Sequence, residues 1–135
     1  MSMLKINFVL VLLLLIGGSA FSAENAKINQ SICRAGVFKN PNTFFVEQDV
    51  KELVKLACKE IKSKAEAICR AGVYSNFDIN FAKESDQIFA ASVCSTVETE
   101  AEAICLGAYY SNQFAKQSGL QKLVTDAEAT CADLK

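Results

Sequence analysis

Six cysteines are the residues of this 135-residue chain that are best able to do covalent chemistry. Successive cysteines are 25, 11, 25, 11 and 26 residues apart. Redox catalysis of the thioredoxin type and zinc binding both favour pairs that lie much closer, such as C-x-x-C. The spacing therefore favours a disulfide framework, and we expect no metal site and no cofactor. The cysteines are Cys33, Cys58, Cys69, Cys94, Cys105 and Cys131.

The chain contains no histidine. Histidine is the commonest general base, the usual activator of serine and cysteine nucleophiles, and a frequent metal ligand. The 14 basic and 15 acidic residues nearly balance, whereas nucleic-acid binders are normally strongly basic. We therefore expect a protein that is not an enzyme, with no catalytic residues and no nucleic-acid partner.

The N-terminal segment has the three parts of a secretory signal peptide. A cation in Met1–Lys5 precedes nine apolar residues, Phe8–Ile16, and small residues follow in Gly17–Ala23. This pattern predicts a signal peptide over residues 1–22, cleaved between 20 and 23. The alternative is an uncleaved membrane anchor, but a membrane span needs about twenty apolar residues. The remainder, 23–135, is expected to be a single secreted, extracellular domain and a monomer.

An internal repeat runs through this remainder. Ile-Cys-Arg-Ala-Gly at 32–36 recurs at 68–72, and Ile-Cys-Leu-Gly-Ala follows at 104–108, with an offset of 36 residues each time. Self-similarity at this period is typical of stacked supersecondary units. The sequence therefore predicts three repeats, 32–67, 68–103 and 104–135.

Apolar residues at helical spacing predict an all-α fold of four helices. Short polar breaks between the helices favour antiparallel neighbours, and hence a four-helix antiparallel array or bundle stapled by disulfides. A kink between Cys58 and Cys69 would instead give a coiled array of shorter helices. The predicted helices are Ala26–Phe38, Glu47–Tyr74, Ser85–Tyr110 and Leu120–Leu134.

The helical register limits how the cysteines can pair. Facing residues of an antiparallel hairpin have numbers that add to a constant, which favours one disulfide in each hairpin. Pairs within one long helix are excluded, because eleven helical residues span about 16 Å. A second pairing, Cys58–Cys105 with Cys33–Cys131, satisfies the same register. The favoured pairs are Cys33–Cys58, Cys69–Cys94 and Cys105–Cys131.

Aromatic and lysine residues form the candidate interaction surface. Most aromatic residues lie near the predicted helix ends, where they either plug the open ends of a bundle or form a patch for a partner or a membrane. The lysines follow one helix face, which is either simply solvated or faces an anionic partner. The surface comprises Phe38, Phe44, Phe45, Tyr109, Tyr110, Phe114, Lys51, Lys55, Lys59 and Lys62.

Charges on neighbouring helices are also placed to pair. Lys62 and Lys64 are replaced one repeat later by Glu98 and Glu100, and the antiparallel register sets the lysines beside residues 99 and 101. We therefore expect cross-helix ion pairs from these lysines to Glu98, Glu100 and Glu102. Exposed pairs of this kind stabilise a protein by well under about 1 kcal/mol each.

Together these features favour a secreted, non-enzymatic, disulfide-rich helical protein that acts by binding a protein target such as a receptor or channel. Small secreted cysteine-rich proteins of this class are toxins or secreted effectors. The alternative is an extracellular carrier of a hydrophobic ligand, because a core of small residues with aromatic ends leaves room for an apolar cavity. Binding to a membrane or lipid is a further expectation of the aromatic patch.

Overall fold

The computed structural model describes residues 22–45, 49–112 and 119–135. The predicted signal peptide therefore lies outside the described residues, except for Ser22. The described residues form helices and connecting turns, with no strand among them. Short 3-10 helices cover Pro41–Phe45 and Ala132–Leu134. The α-helices are α1 (22–39), α2 (Val50–Ala57), α3 (Lys64–Ser75), α4 (Glu84–Cys94), α5 (Glu100–Ser111) and α6 (Leu120–Thr130).

The two long helices predicted from the sequence are each divided in two. The segment Glu47–Tyr74 contains α2 and α3, and Ser85–Tyr110 contains α4 and α5. The prediction of four helices was therefore wrong for the described residues, which contain six α-helices. Apolar residues keep their helical spacing across each break, so their periodicity does not reveal the break.

New N-caps start the second helix of each divided segment. The Ser63 hydroxyl accepts a hydrogen bond from the Glu66 backbone N–H at 3.0 Å. Thr99 accepts the equivalent bond from Glu102 at 3.1 Å. Both sites have the S/T-x-x-E pattern of a capping box, a local signal for a helix start. Because these caps satisfy the first backbone N–H groups, α3 and α5 begin as separate helices.

Helices α1, α3 and α5 lie side by side and run in the same direction. Gly36 of α1 packs against the backbone of Ala71 in α3, and Gly72 of α3 packs against the backbone of Gly107 in α5. A Cβ atom on Gly36 or Gly72 would overlap that backbone. Only glycine therefore permits these close contacts.

Buried asparagines join the C-terminal ends of the same three helices. The Asn40 side-chain amide donates hydrogen bonds to the carbonyl oxygens of Tyr74 at 2.9 Å and Asn76 at 2.8 Å. The Asn76 amide, 36 residues later, bonds the carbonyl oxygens of Tyr110 at 2.8 Å and Asn112 at 3.1 Å. These bonds satisfy backbone carbonyls that a helix end leaves without partners.

Three disulfides connect α1, α3 and α5 to the helices that follow them. The Cα–Cα distances are 5.6 to 5.9 Å, within the range of disulfide geometry. No described cysteine is free. The pairing is the favoured one, and not the alternative with Cys58–Cys105 and Cys33–Cys131 that the same register allows. The bonds are Cys33–Cys58, Cys69–Cys94 and Cys105–Cys131.

Candidate binding sites

One face of α1, α3 and α5 forms an open groove. Its volume is about 420 Å³. Equivalent positions on the three helices contribute to it, because the helices lie in parallel with their 36-residue offset in register. Glycine and alanine form the floor, since the helices approach too closely there for larger side chains. The groove is lined by Ile32, Ala35, Gly36, Lys39, Ile68, Ala71, Gly72, Ser75, Ile104, Gly107, Ala108 and Ser111.

The groove is chemically suited to contact rather than to catalysis. Lys39 is its single charged lining residue. The hydroxyls of Ser75 and Ser111 donate hydrogen bonds to carbonyl oxygens of their own helices, at 2.7 and 2.8 Å. Ile104 is 59% exposed. The groove therefore offers an apolar surface with one ammonium group at one side, which fits an apolar segment that carries an acidic group.

The structure divides the predicted aromatic surface. Phe38 is exposed at the end of α1, whereas Tyr109 is half-buried. Tyr110 is only 2% exposed and packs edge-on against Phe89, with the ring centres 6.1 Å apart. Tyr110 therefore belongs to the core and not to an interaction surface. Phe114 and the side chains of Phe44 and Phe45 lie outside the described residues.

The different exposure of Phe38 and Tyr74 follows from their places in the helix array. Tyr74 is 36 residues after Phe38 and is fully buried, and its hydroxyl donates a hydrogen bond to the Ala57 carbonyl of α2 at 3.0 Å. Within the described residues, no helix precedes α1 and covers Phe38 in the same way.

The predicted lysine face is solvent-exposed. Lys55 pairs with Glu52 one turn away at 2.6 Å, and both side chains are more than half exposed, so this pair stabilises the fold little. Lys51, Lys59 and Lys62 are exposed as well.

One of the expected cross-helix ion pairs is present. Lys64 contacts Glu100 at 3.0 Å across α3 and α5. Glu102, in contrast, is only 6% exposed and forms no ion pair with a lysine of the described residues. The pair joins helices that run in the same direction with an offset of 36 residues, so the antiparallel register predicted between these two segments was wrong, and it did not indicate which carboxylate is buried.

A buried ion pair in α3 was not anticipated from the sequence. The Arg70 guanidinium contacts the Glu66 carboxylate at 2.6 Å, and their side chains are 7% and 3% exposed. Arg70 also donates to the Lys59 carbonyl at 2.9 Å, and Glu66 accepts from the Lys62 N–H at 2.9 Å. Two features of the sequence could have indicated this ion pair: the capping box and the i,i+4 spacing of the opposite charges.

A second, polar pocket of about 270 Å³ lies where α4, α5 and α6 meet. Its walls include the buried residues Glu102, Leu106 and Tyr110. Burial, followed by the negative charge of Glu128, raises the pKa of Tyr110 to about 12. The Tyr110 hydroxyl therefore keeps its proton at neutral pH. The pocket is lined by Val93, Thr96, Val97, Glu98, Glu102, Leu106, Tyr110, Glu128 and Lys135.

Comparison of the chain with protein-family models, curated proteins and solved structures finds no match. The described residues contain no group of three or more His, Cys, Asp or Glu side chains placed to hold a metal ion. Their helices are each too short or too polar to cross a membrane.

Proposed function

We propose that this chain is a secreted, non-enzymatic binding protein of the toxin or secreted-effector type. Its target is a protein that docks an apolar segment on the groove formed by α1, α3 and α5. The six cysteines, all in disulfides, and the helical fold are consistent with an extracellular protein. The signal peptide predicted over residues 1–22 belongs to the same proposal.

The architecture we propose for this scaffold is a tandem array of three helical units. Three features recur at 36-residue intervals: the cysteine-containing helix, the close glycine contact at Gly36 and Gly72, and the asparagine bonds of Asn40 and Asn76. A repeat array exposes an extended surface built from equivalent positions, which is how such proteins commonly bind their targets.

The observation that carries the proposed function is the apolar groove itself. A contiguous apolar surface on a small protein commonly marks an interaction site. Here the close glycine contacts and the buried asparagine bonds hold the three groove helices against one another, so little order has to be gained on binding. Lys39 at one side favours targets with an acidic residue next to the docked segment.

Selection from a displayed random-peptide library tests this proposal. We expect the selected peptides to combine apolar residues with an acidic residue, and to shift the NMR signals of Ile68 and Ile104. The variant Ala108→Glu should abolish their binding, because it places a charge in the groove. The matched variant Ser92→Glu, exposed on α4 and outside the groove, should bind as well as the wild type. Peptides that map elsewhere would contradict the proposal.

The alternative function, transport of a hydrophobic ligand, uses the same apolar groove. Carriers bury most of the ligand surface. The 59% exposure of Ile104 shows that the groove remains open, which favours a protein target over a lipid. Native mass spectrometry of the secreted protein distinguishes the two functions, since a carrier retains a co-purifying lipid and a protein-binding scaffold is found without one.

A further inference from the structure

The carboxylate in the polar pocket, Glu102, has a counterpart in α3, where the groups that contact an equivalent carboxylate can be seen. Glu66 of α3 and Glu102 of α5 are 36 residues apart, and each lies three residues after the capping residue of its helix. Both carboxylates are buried, at 2% and 6% residue exposure. The two sites can therefore be compared position by position.

In α3 the chain itself supplies the cation. Arg70, one turn after Glu66, contacts its carboxylate at 2.6 Å, and the Lys62 backbone N–H donates to the other carboxylate oxygen at 2.9 Å. A second guanidinium nitrogen of Arg70 donates to the Lys59 carbonyl at 2.9 Å. Both oxygens of the buried Glu66 carboxylate thus have partners.

In α5 the equivalent carboxylate, Glu102, is present, but the equivalent cation is absent. The position of Arg70 is occupied by Leu106, and that of Lys62 by Glu98. No described residue donates a hydrogen bond to the Glu102 carboxylate or forms an ion pair with it. Glu102 is only 6% exposed as a residue, yet its carboxylate oxygens are not fully enclosed by protein, so the pocket gives a ligand access to them.

The remaining walls of the pocket suit the same kind of cation. Glu98 and Glu128 add negative charge at the exposed rim, against the single cation Lys135. Val93 and Leu106 provide apolar wall for the methylene groups of a long basic side chain. The volume of about 270 Å³ accommodates a group of that size.

We propose that the pocket containing Glu102 binds a guanidinium group, which takes the place that Arg70 holds in α3. In α3 one guanidinium nitrogen contacts the Glu66 carboxylate while another donates to the Lys59 carbonyl, and the planar guanidinium spreads its donors over a wider span than the compact ammonium group does. The group is supplied either by an arginine side chain of a partner protein or by a small guanidino compound. This site shares no lining residue with the apolar groove. A result that refutes one of the two sites therefore leaves the other untouched.

Titration of the isotope-labelled full chain with methylguanidinium, followed by amide NMR shifts, tests the site. We expect saturable shifts at Val97, Glu102 and Lys135. Methylurea has the same planar shape without the charge and should give no saturable shift. Methylammonium should bind at least fivefold more weakly than methylguanidinium.

A further arm of the titration distinguishes the two sources of the group. A capped Gly-Arg-Gly peptide that binds at least as tightly as methylguanidinium assigns the site to an arginine of a polypeptide. Weaker binding of the peptide assigns it to a small guanidino compound. Both results support the guanidinium site.

Variants of α5 test the site and provide the control. Glu102→Gln should weaken methylguanidinium at least tenfold, and the matched variant Glu100→Gln, exposed on the same helix and outside the pocket, should leave binding within twofold of the wild type. Leu106→Arg should abolish binding, because its own guanidinium fills the site as Arg70 does in α3. Circular dichroism of each variant verifies the fold, and Glu102→Gln decides the question if Leu106→Arg does not fold. Equal binding to wild type and Glu102→Gln, or no saturable shift at 50 mM (roughly the limit for a meaningful weak site), would overturn the proposal.

Discussion

Buried polar side chains hold the helices of this protein together more strongly than its surface charges do. Asn40 and Asn76 are 0% and 1% exposed, and each bonds carbonyl oxygens at the end of the next helix in the array. Breaking such bonds leaves buried acceptors without partners, which costs more than the bonds themselves contribute. The exposed ion pairs, such as Lys55–Glu52, contribute little in comparison.

The variant Asn76→Ala tests how much these buried hydrogen bonds contribute to the free energy of unfolding. It leaves the carbonyls of Tyr110 and Asn112 without the Asn76 amide, and we expect the free energy of unfolding to fall by about 2–4 kcal/mol. Urea unfolding at pH 7 measures this loss. Asn80→Ala is the control, because Asn80 is exposed and accepts a single bond from the Ala82 N–H at 3.0 Å. Equal losses for the two variants would show that the buried bonds carry no special weight.

Tyr74 makes the stability depend on pH in the alkaline range. Burial raises its pKa from 10.0 to about 12, with the charge of Arg70 acting in the opposite direction. The folded state therefore holds the proton more tightly than the unfolded state does. The stability that the neutral phenol contributes is complete below pH 10 and is lost as the pH rises toward 12, by up to about 1.4 kcal/mol per pH unit.

Urea unfolding between pH 9 and pH 11 measures this dependence. We expect Tyr74→Phe to reduce the decline without abolishing it, since Tyr110, whose pKa is also raised to about 12, still titrates in the variant. The same variant should be about 1 kcal/mol less stable at pH 7, because it loses the hydrogen bond to the Ala57 carbonyl. An identical pH slope in wild type and variant would contradict the assignment.

Close packing between neighbouring helices depends on single glycines. Gly72→Ala places a methyl group into the backbone of Gly107, so α3 and α5 must separate. We expect a loss of about 2 kcal/mol or more, although alanine favours helix formation by up to about 1 kcal/mol. Thermal unfolding measures the change. Ala108→Gly is the matched control, because position 108 is exposed on α5 and should cost at most about 1 kcal/mol.

The sequence predicted the helical class and the positions of these contacts better than it predicted the helix ends. The 36-residue offset aligned Gly36 with Gly72 and identified the cysteine pairs that the structure contains. Apolar periodicity did not show that Glu47–Tyr74 is divided, because the same face stays apolar on both sides of the break. The capping box at Ser63 does indicate where the second helix begins, since it depends on backbone hydrogen bonds rather than on burial.

The candidate sites were harder to predict because they depend on which neighbours cover a residue. Tyr110 was assigned to a surface, yet it is buried by packing against Phe89 of α4. The groove is built from alanine, glycine and isoleucine, which the sequence pattern also places in an ordinary core. Glu102 was expected to pair with a lysine on a neighbouring helix, whereas the structure buries it, as it buries Glu66.

At the scale of the molecule, α3 has a closely packed neighbour on both sides within the described residues. Helix α3 contacts α1 through Ala71 and α5 through Gly72, whereas α1 has a packed neighbour of this kind on one side only within the described residues. The third unit has Ala108 where the earlier units have glycine. Stability in such arrays is approximately a sum of unit and interface terms.

Removing one disulfide at a time tests whether the stability of this protein is a sum of contributions from separate helical units and their interfaces. Each bond closes a loop of 25 or 26 residues, and its loss should cost about 3–4 kcal/mol. We expect the double variant Cys33→Ala/Cys58→Ala to lose amide hydrogen-exchange protection in α1 and α2 and to keep it in α3–α6. The variant Cys69→Ala/Cys94→Ala should lose protection throughout, because α3 supports both neighbours. Uniform loss in both variants would instead show that the chain unfolds as one cooperative unit, with no separable end.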